Sequence, residues 1–209
     1  MSVQAAYNHW ASTYDEDRNR TRDLDERVTR DILSGQRYGS IIELGCGTGK
    51  NTALLATLSL QVQALDFSPG MLARAREKVS APHVRFSAAD LTHAWPCTSA
   101  SADLVVGNLV LEHIEDLHHV MREAARCLRP AGQLFLSELH PFRQYQGTVA
   151  NFTRGEHTTQ VAAFVHHVSD YTEAARTAGL QVQRMNEWWH IEDEGKPPRL
   201  LSLLLENSV

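Results

Sequence analysis

The sequence predicts an α/β fold built on a doubly wound, mostly parallel sheet. Three observations carry that expectation. Strand-like and helix-like segments alternate from Ser40 to Leu139, the pattern of parallel strands with helices on both faces. The apolar run Ile41-Ile42-Glu43-Leu44 feeds directly into Gly45-Cys46-Gly47-Thr48-Gly49, and a helix-like segment begins on the far side at Lys50. Acidic residues close the next two strands, in Leu65-Asp66-Phe67 and Ala89-Asp90-Leu91.

Composition sets the outer limits. The chain has 209 residues, of which 43% are apolar, enough for one domain with a sizeable core. Its net charge of −5 leaves no basic stripe to neutralise nucleic-acid phosphates. Cys46, Cys97 and Cys127 are scattered without Cys-x-x-Cys spacing. They suggest neither a disulfide framework nor a zinc site, and they suit a reducing, cytoplasmic setting. The N-terminus shows no apolar signal segment, and no run approaches membrane-spanning length.

Residues 1 to about 35 read as amphipathic and helical, with Leu24, Val28 and Ile32 at helical spacing. Strands are expected near 40–44, 61–66, 83–88, 103–107 and 132–138. In the glycine turn, Gly45 suits a conformation that a Cβ would obstruct, Gly47 permits close backbone approach to a ligand, and Gly49 lets the next helix pack against the strand. The helix start then presents unpaired N–H groups and a partial positive charge. Ser68-Pro69 begins another helix, with Ser68 as N-cap and proline in the first turn. Residues 140–168 read as irregular, rich in His and aromatics. A helix runs from Ser169 to Ala178, capped by Ser169 and ended by Gly179. Leu180–Glu187 and Leu200–Glu206 complete seven strands. The division is a single domain over 1–209: a helical cap (1–35), a cofactor-binding core (36–140), a substrate-cap insert (141–168), and a final helix with two strands (169–209).

The spacing 66 − 45 places Asp66 21 residues past the first glycine. An acid about 20 residues on is where a ribose hydroxyl pair is held. Taken together, Glu43-Leu44-Gly45-Cys46-Gly47-Thr48-Gly49, Asp66, Asp90, Asn108-Leu109-Val110-Leu111-Glu112-His113 and Leu128-Arg129-Pro130-Ala131-Gly132 resemble the class I S-adenosylmethionine (SAM) dependent methyltransferases. They cover about half the chain in the family's order, and the resemblance is to the small-molecule (type 11/25-like) group. The resemblance implies a Rossmann-like sheet whose last strand is antiparallel, with SAM as methyl donor and S-adenosylhomocysteine as product. It also implies a cofactor site of Tyr14, Glu43, Gly45, Cys46, Gly47, Thr48, Gly49, Asp66, Phe67, Met71, Asp90, Leu91, Asn108 and His113. Within that set Glu43 would orient the methionine ammonium and Asp90 the adenine amino group. Tyr14, in Trp10-Ala-x-x-Tyr14-Asp15, resembles an N-terminal cap that lies near SAM.

Transfer from a sulfonium is an in-line displacement, so a base is needed only where the acceptor must lose a proton. His140 ends the fifth strand and His167 precedes the last helix, and either ring titrates near neutrality. These are the candidate catalytic bases, His140 first. Neither joins carboxylates at metal-ligand spacing, so no metal is expected. The expected function is methyl transfer from SAM to oxygen, nitrogen or carbon of a small molecule (EC 2.1.1.-), without nucleic-acid or membrane partners. A carboxyl methyltransferase acting on an acyl carrier, a nicotinamide-dependent oxidoreductase and a non-catalytic SAM-binding protein are alternatives. The oxidoreductase would want a glycine where Lys50 stands. Both cap segments, Tyr7–Tyr14 and His140–His167, are expected to cover the site.

Overall fold

The computed structural model describes residues 1–154 and 157–208. Two helices, α1 (Val3–Trp10) and α2 (Arg20–Leu33), precede β1 (Tyr38–Leu44). The chain then alternates: α3 (Lys50–Leu58), β2 (Ser59–Asp66), α4 (Pro69–Lys78), β3 (Val84–Ala88) and β4 (Ala102–Asn108). A 3₁₀ turn at Leu111–His113 leads to α5 (Leu117–Cys127), β5 (Leu128–Leu139) and the short α6 (Pro141–Tyr145). A hairpin of β6 (Asn151–Arg154) and β7 (His157–Gln160) follows, then α7 (Val168–Thr177), β8 (Leu180–Trp188) and β9 (Leu200–Asn207).

Seven strands form one sheet in the order β3-β2-β1-β4-β5-β9-β8. The strands from β1 to β5 pair in parallel, and β9 enters antiparallel between β5 and β8. Parallel strands are buried on both faces, so they read as continuous apolar runs. β1 shows this directly, since its adjacent isoleucines point into different cores. Ile41 packs with Leu24 and Val28 of α2 and Leu55 of α3. Ile42 packs on the other face with Val120 and Met121 of α5 and Tyr171 of α7. Among the described residues, no helix is long and apolar enough to cross a membrane.

Several local expectations are corrected. The N-terminal region is two helices, because residues 11–17 form turns and a bend before Asn19 caps α2 by accepting the N–H groups of Thr21 and Arg22 at 3.0 and 3.1 Å. The segment 140–168 is not wholly irregular, since it contains α6 and the β6–β7 hairpin. Its central residues 155–156 lie outside the described residues. Helix α7 starts at Val168 and is capped at His167, whose N–H donates to Asp170 Oδ2 at 2.8 Å. Ser169 is therefore inside the helix. Gly49 relieves a contact with α4 instead of a strand: a Cβ there would lie 3.3 Å from the Cα of Ala75.

Candidate functional site

The sheet order reverses between β1 and β4, which run to neighbours on opposite sides. Connections leaving the carboxyl ends of such strands diverge and open a crevice. Here its floor is the glycine turn. Gly45 sits at φ +62°, and a Cβ would come within 2.5 Å of Val110 Cγ2. Gly47 sits at φ +52° and faces open space, with nothing within 4 Å of a built Cβ. The first glycine is thus required by packing, while the second leaves its backbone bare toward the crevice.

Asp66 ends β2 and is buried at 6% exposure. Its Oδ2 accepts the Gly47 N–H and its Oδ1 the Ser68 N–H, both at 2.8 Å. Burial raises its carboxyl above the ordinary range, and those two amides pull it back. Asp90 is half exposed and closes a turn by accepting the Thr92 N–H at 2.9 Å. The Ser68 hydroxyl accepts the Met71 N–H at 3.1 Å and meets Asn8 Oδ1 at 2.7 Å, fastening α1 to the start of α4.

The crevice, about 100 Å³, is lined by Tyr14, Gly45, Gly47, Asp66, Phe67, Met71, Asp90, Leu91, Asn108 and His113, together with Tyr7. Four residues expected there are elsewhere. Glu43 is buried beneath the turn and hydrogen-bonded to Thr52 Oγ1 at 2.6 Å. Burial raises its carboxyl to about 8, against the opposing Thr52 hydrogen bond. Cys46 is buried in the core on the α2–α3 side. Thr48 turns away to donate to Asp15 Oδ1 at 2.7 Å, and Gly49 packs on α4.

A second cavity of about 600 Å³ adjoins the crevice, sharing Tyr7, Tyr14 and Leu109 as walls. Its other walls include Trp10, Arg20, Arg22, Glu112, Phe152 and Arg199. Trp10 stacks on Phe152 with ring centroids 5.1 Å apart, so α1 and the β6–β7 hairpin close over it together. His113 bridges them to the core. Its Nδ1 meets the Ala162 carbonyl at 2.8 Å, leaving Nε2 to accept the Tyr7 hydroxyl at 2.7 Å. Burial lowers its pKa.

His140 and His167 stand apart from both spaces. His140 caps α6, and its Nδ1 accepts the Phe142 N–H at 3.1 Å. Its Nε2 therefore donates to Glu187 Oε1 at 3.0 Å. Burial lowers its pKa and Glu187 works the other way. His167 is exposed, with Nδ1 2.5 Å from the Tyr145 hydroxyl. Neither lines the crevice or the cavity, so the cap residues over the site come from Tyr7–Tyr14 and Thr148–Thr153, while His140–Tyr145 lies to one side. Among the described residues, no group of His, Cys, Asp and Glu is arranged to hold a metal.

Two site residues went unread in the sequence. Arg22 is buried at 9% exposure, with its guanidinium 4.0 Å above the Tyr14 ring. Its terminal nitrogens donate to the carbonyls of Tyr14 and Asp17, and its Nε has no partner. No carboxylate lies within ion-pair distance among the described residues. Asp25 accepts Asn108 Nδ2 at 2.7 Å and Asn51 Nδ2 at 2.9 Å, tying α2 to the crevice. Their spacing, with Thr29, follows the helical repeat beside the Leu24–Val28 stripe, which is the signal that marks an inward polar row.

Residues 42–136 match the family model described as a methyltransferase domain. That stretch is a methyltransferase domain of the class I SAM-dependent kind. It is 28% identical to an uncharacterized methyltransferase of Emericella nidulans, over 95% of this chain and 82% of that protein. It is 33% identical to the malonyl-[acyl-carrier protein] O-methyltransferase of Enterobacter lignolyticus, over 66% of this chain and about half (54%) of that protein. An S-adenosylmethionine dependent methyltransferase from Mesorhizobium loti shares the fold at a TM-score of 0.72 and 21% identity, over 86% of this chain and 96% of that one.

Proposed function

We propose that this chain is an enzyme that moves the SAM methyl group onto a small molecule held in the 600 Å³ cavity. The observation that carries the proposal is the arrangement of two spaces. One is a crevice with a bare glycine backbone and a buried acid, and the other is a separate cavity reached past shared tyrosines. SAM supplies an electrophilic methyl group, and the protein's task is to align it with an acceptor and exclude water.

In this reading Asp66 takes the ribose hydroxyls, and Asp90 with Leu91 borders the adenine. Gly45 and Gly47 offer backbone to the amino-acid tail. Arg22 is the partner of the tail's carboxylate. A buried cation without a counter-ion is costly, and this one lies beside Tyr14, where crevice and cavity meet. Glu43, buried and bonded to Thr52, keeps a structural place under the turn. Arg22→Met is expected to weaken SAM by about tenfold or more, the scale of one charge-assisted hydrogen bond. Binding of 5′-methylthioadenosine, which lacks the tail, should change little. Equal losses for both ligands would move Arg22 out of this role.

Calorimetric titration with SAM, S-adenosylhomocysteine and NAD tests the proposal as a whole. Binding of the first two without NAD is expected, because Lys50 opens α3 and pairs with Asp23 and Glu26 at 3.3 and 3.2 Å, where a pyrophosphate would need bare backbone. NAD binding without SAM would overturn it. A second reading, a carboxylate acceptor on an acyl carrier, is supported by the similarity to the malonyl-[acyl-carrier protein] enzyme and by Arg20 and Arg199 in the cavity wall.

A further inference from the structure

Two acids line the cavity, Asp17 and Glu112. Asp17 is engaged, since its Oδ2 accepts the Trp10 indole N–H at 2.6 Å. Glu112 is different. It lies in the 3₁₀ turn just after β4, is 5% exposed, and its Oε2 has no hydrogen-bond partner. Buried carboxyl oxygens are normally satisfied, and this one is left short on a residue of the cavity wall, where a donor on a bound molecule would complete the carboxyl. The turn also fixes its place: Leu109, directly after β4, is one of the walls common to crevice and cavity.

We infer that the acceptor is an O–H or N–H nucleophile and that Glu112 receives its proton as the methyl group arrives. This rests on the methyltransferase reading above. In the step, the acceptor's lone pair forms the new bond to the methyl carbon while the carbon–sulfur bond of SAM breaks. The sulfonium keeps that electron pair and becomes the neutral thioether of S-adenosylhomocysteine. The acceptor's proton goes to the carboxylate of Glu112 and leaves to solvent after product release. No oxidant, metal or further reactant is required.

The surroundings suit a base working near neutrality. Burial raises the Glu112 carboxyl to about 7, with the Gln144 amide opposing. The titratable groups around it come from several elements. His113 Nε2 lies 3.8 Å from Oε1, and Tyr7 of α1, Glu138 of β5 and Tyr171 of α7 are near enough to interact with its charge. Burial raises Tyr7, Glu138 and Tyr171 alike. His113, lowered by burial, supplies no compensating cation. A carboxylate acceptor would need no base, and it would meet an ionised Glu112 with like charge.

The test uses the full chain and radiolabelled SAM with two separate probe pools, one of alcohols, phenols and amines, the other of carboxylic acids including malonyl thioesters. Label is expected in the first pool. Glu112→Gln should lower kcat by about 100-fold or more, the usual worth of a general base, with KM and S-adenosylhomocysteine affinity within about twofold. Glu112→Asp should recover part of the rate with a displaced pH profile. Label confined to the carboxylic acids would overturn the inference, as would a Glu112→Gln enzyme that keeps the wild-type rate and pH profile. An acceptor-independent measurement runs beside it. In the S-adenosylhomocysteine complex, a protonated-carboxyl infrared band that disappears in Glu112→Gln should fade as pH rises through neutrality. A Glu112 that is ionised throughout the acid range overturns the inference. Failure to bind S-adenosylhomocysteine at all would instead count against the methyltransferase reading, and calorimetry separates the two.

Discussion

Asp193→Ala is expected to lower the stability of the protein by about 3–5 kcal/mol, the cost of breaking a buried ion pair by removing one partner. Asp193 has a fully buried side chain between two cations. Arg199 Nη2 lies 2.6 Å away and Arg143 Nη2 3.0 Å away, and their own side chains are only 12% and 9% exposed. Arg199 Nε also donates to Asp193 Oδ2 at 2.7 Å, making a two-pronged pair whose geometry is specific as well as strong. The variant would leave two guanidinium groups buried without charge partners. It would also release Arg199 from the cavity wall, where its Nη1 reaches Thr21 Oγ1 at 3.0 Å. Thermal or urea unfolding of both proteins reads the loss directly. An unchanged midpoint would mean that solvent already compensates these charges.

The same pair makes a pH prediction. Burial works to raise the Asp193 carboxyl, but Arg199 and the His190 N–H outweigh it and hold the group at about 2, below its ordinary 3.8. A depressed carboxylate contributes stability that is fully present above the unfolded value and is lost as pH falls through the folded one. Wild type should therefore lose stability between about pH 5 and pH 2, and Asp193→Ala should show a flatter profile there. A variant that keeps the wild-type acid slope would assign that slope to other carboxylates.

Why the core was legible and the site only partly so follows from which residues signal their environment. The runs Ile41–Leu44 and Leu104–Val106 are apolar because both faces of a parallel strand are covered, and that pattern is local. Gly45 and Asp66 were legible because few local structures demand both a glycine turn after a strand and an acid at that fixed spacing. Arg22 and Glu112 were not. Arg22 stands in a charged stretch, Asp15 to Arg30, where only its helical spacing with Asp25 and Thr29 sets it apart from the solvated cations. Glu112 sits beside a histidine that drew the chemical interest. His140 misled for the complementary reason. It ends the fifth strand as expected, yet the short α6 begins immediately and takes its ring as a cap. The β6–β7 hairpin was hidden because its segments are short and polar, and the pairing is set by contact with Trp10 and the cap instead of by a strong pattern.

Asp66→Ala should weaken SAM and S-adenosylhomocysteine by at least about 100-fold. The expectation rests on the proposed ribose contact. Two charge-assisted hydrogen bonds at roughly 1.5–3 kcal/mol each exceed the ~2.7 kcal/mol that a hundredfold change requires. The carboxylate is already oriented, because the Gly47 and Ser68 N–H groups hold its two oxygens, so little ordering is needed when a ligand arrives. Those same bonds make the variant a double loss, since the turn that presents Gly47 would also loosen. Asp66→Asn separates the effects. It keeps the size and one acceptor, but turns an N–H toward an N–H and withdraws the charge. If the contact with ribose dominates, both variants lose affinity while the unfolding midpoint moves far less in Asp66→Asn than in Asp66→Ala. The acid's raised pKa gives a further readout: affinity for S-adenosylhomocysteine should fall as pH drops and the carboxyl takes up a proton, and that dependence should vanish in Asp66→Asn. A folded Asp66→Asn protein with wild-type affinity and an unaltered pH profile would remove Asp66 from the cofactor's ribose and leave it only the task of holding the glycine turn.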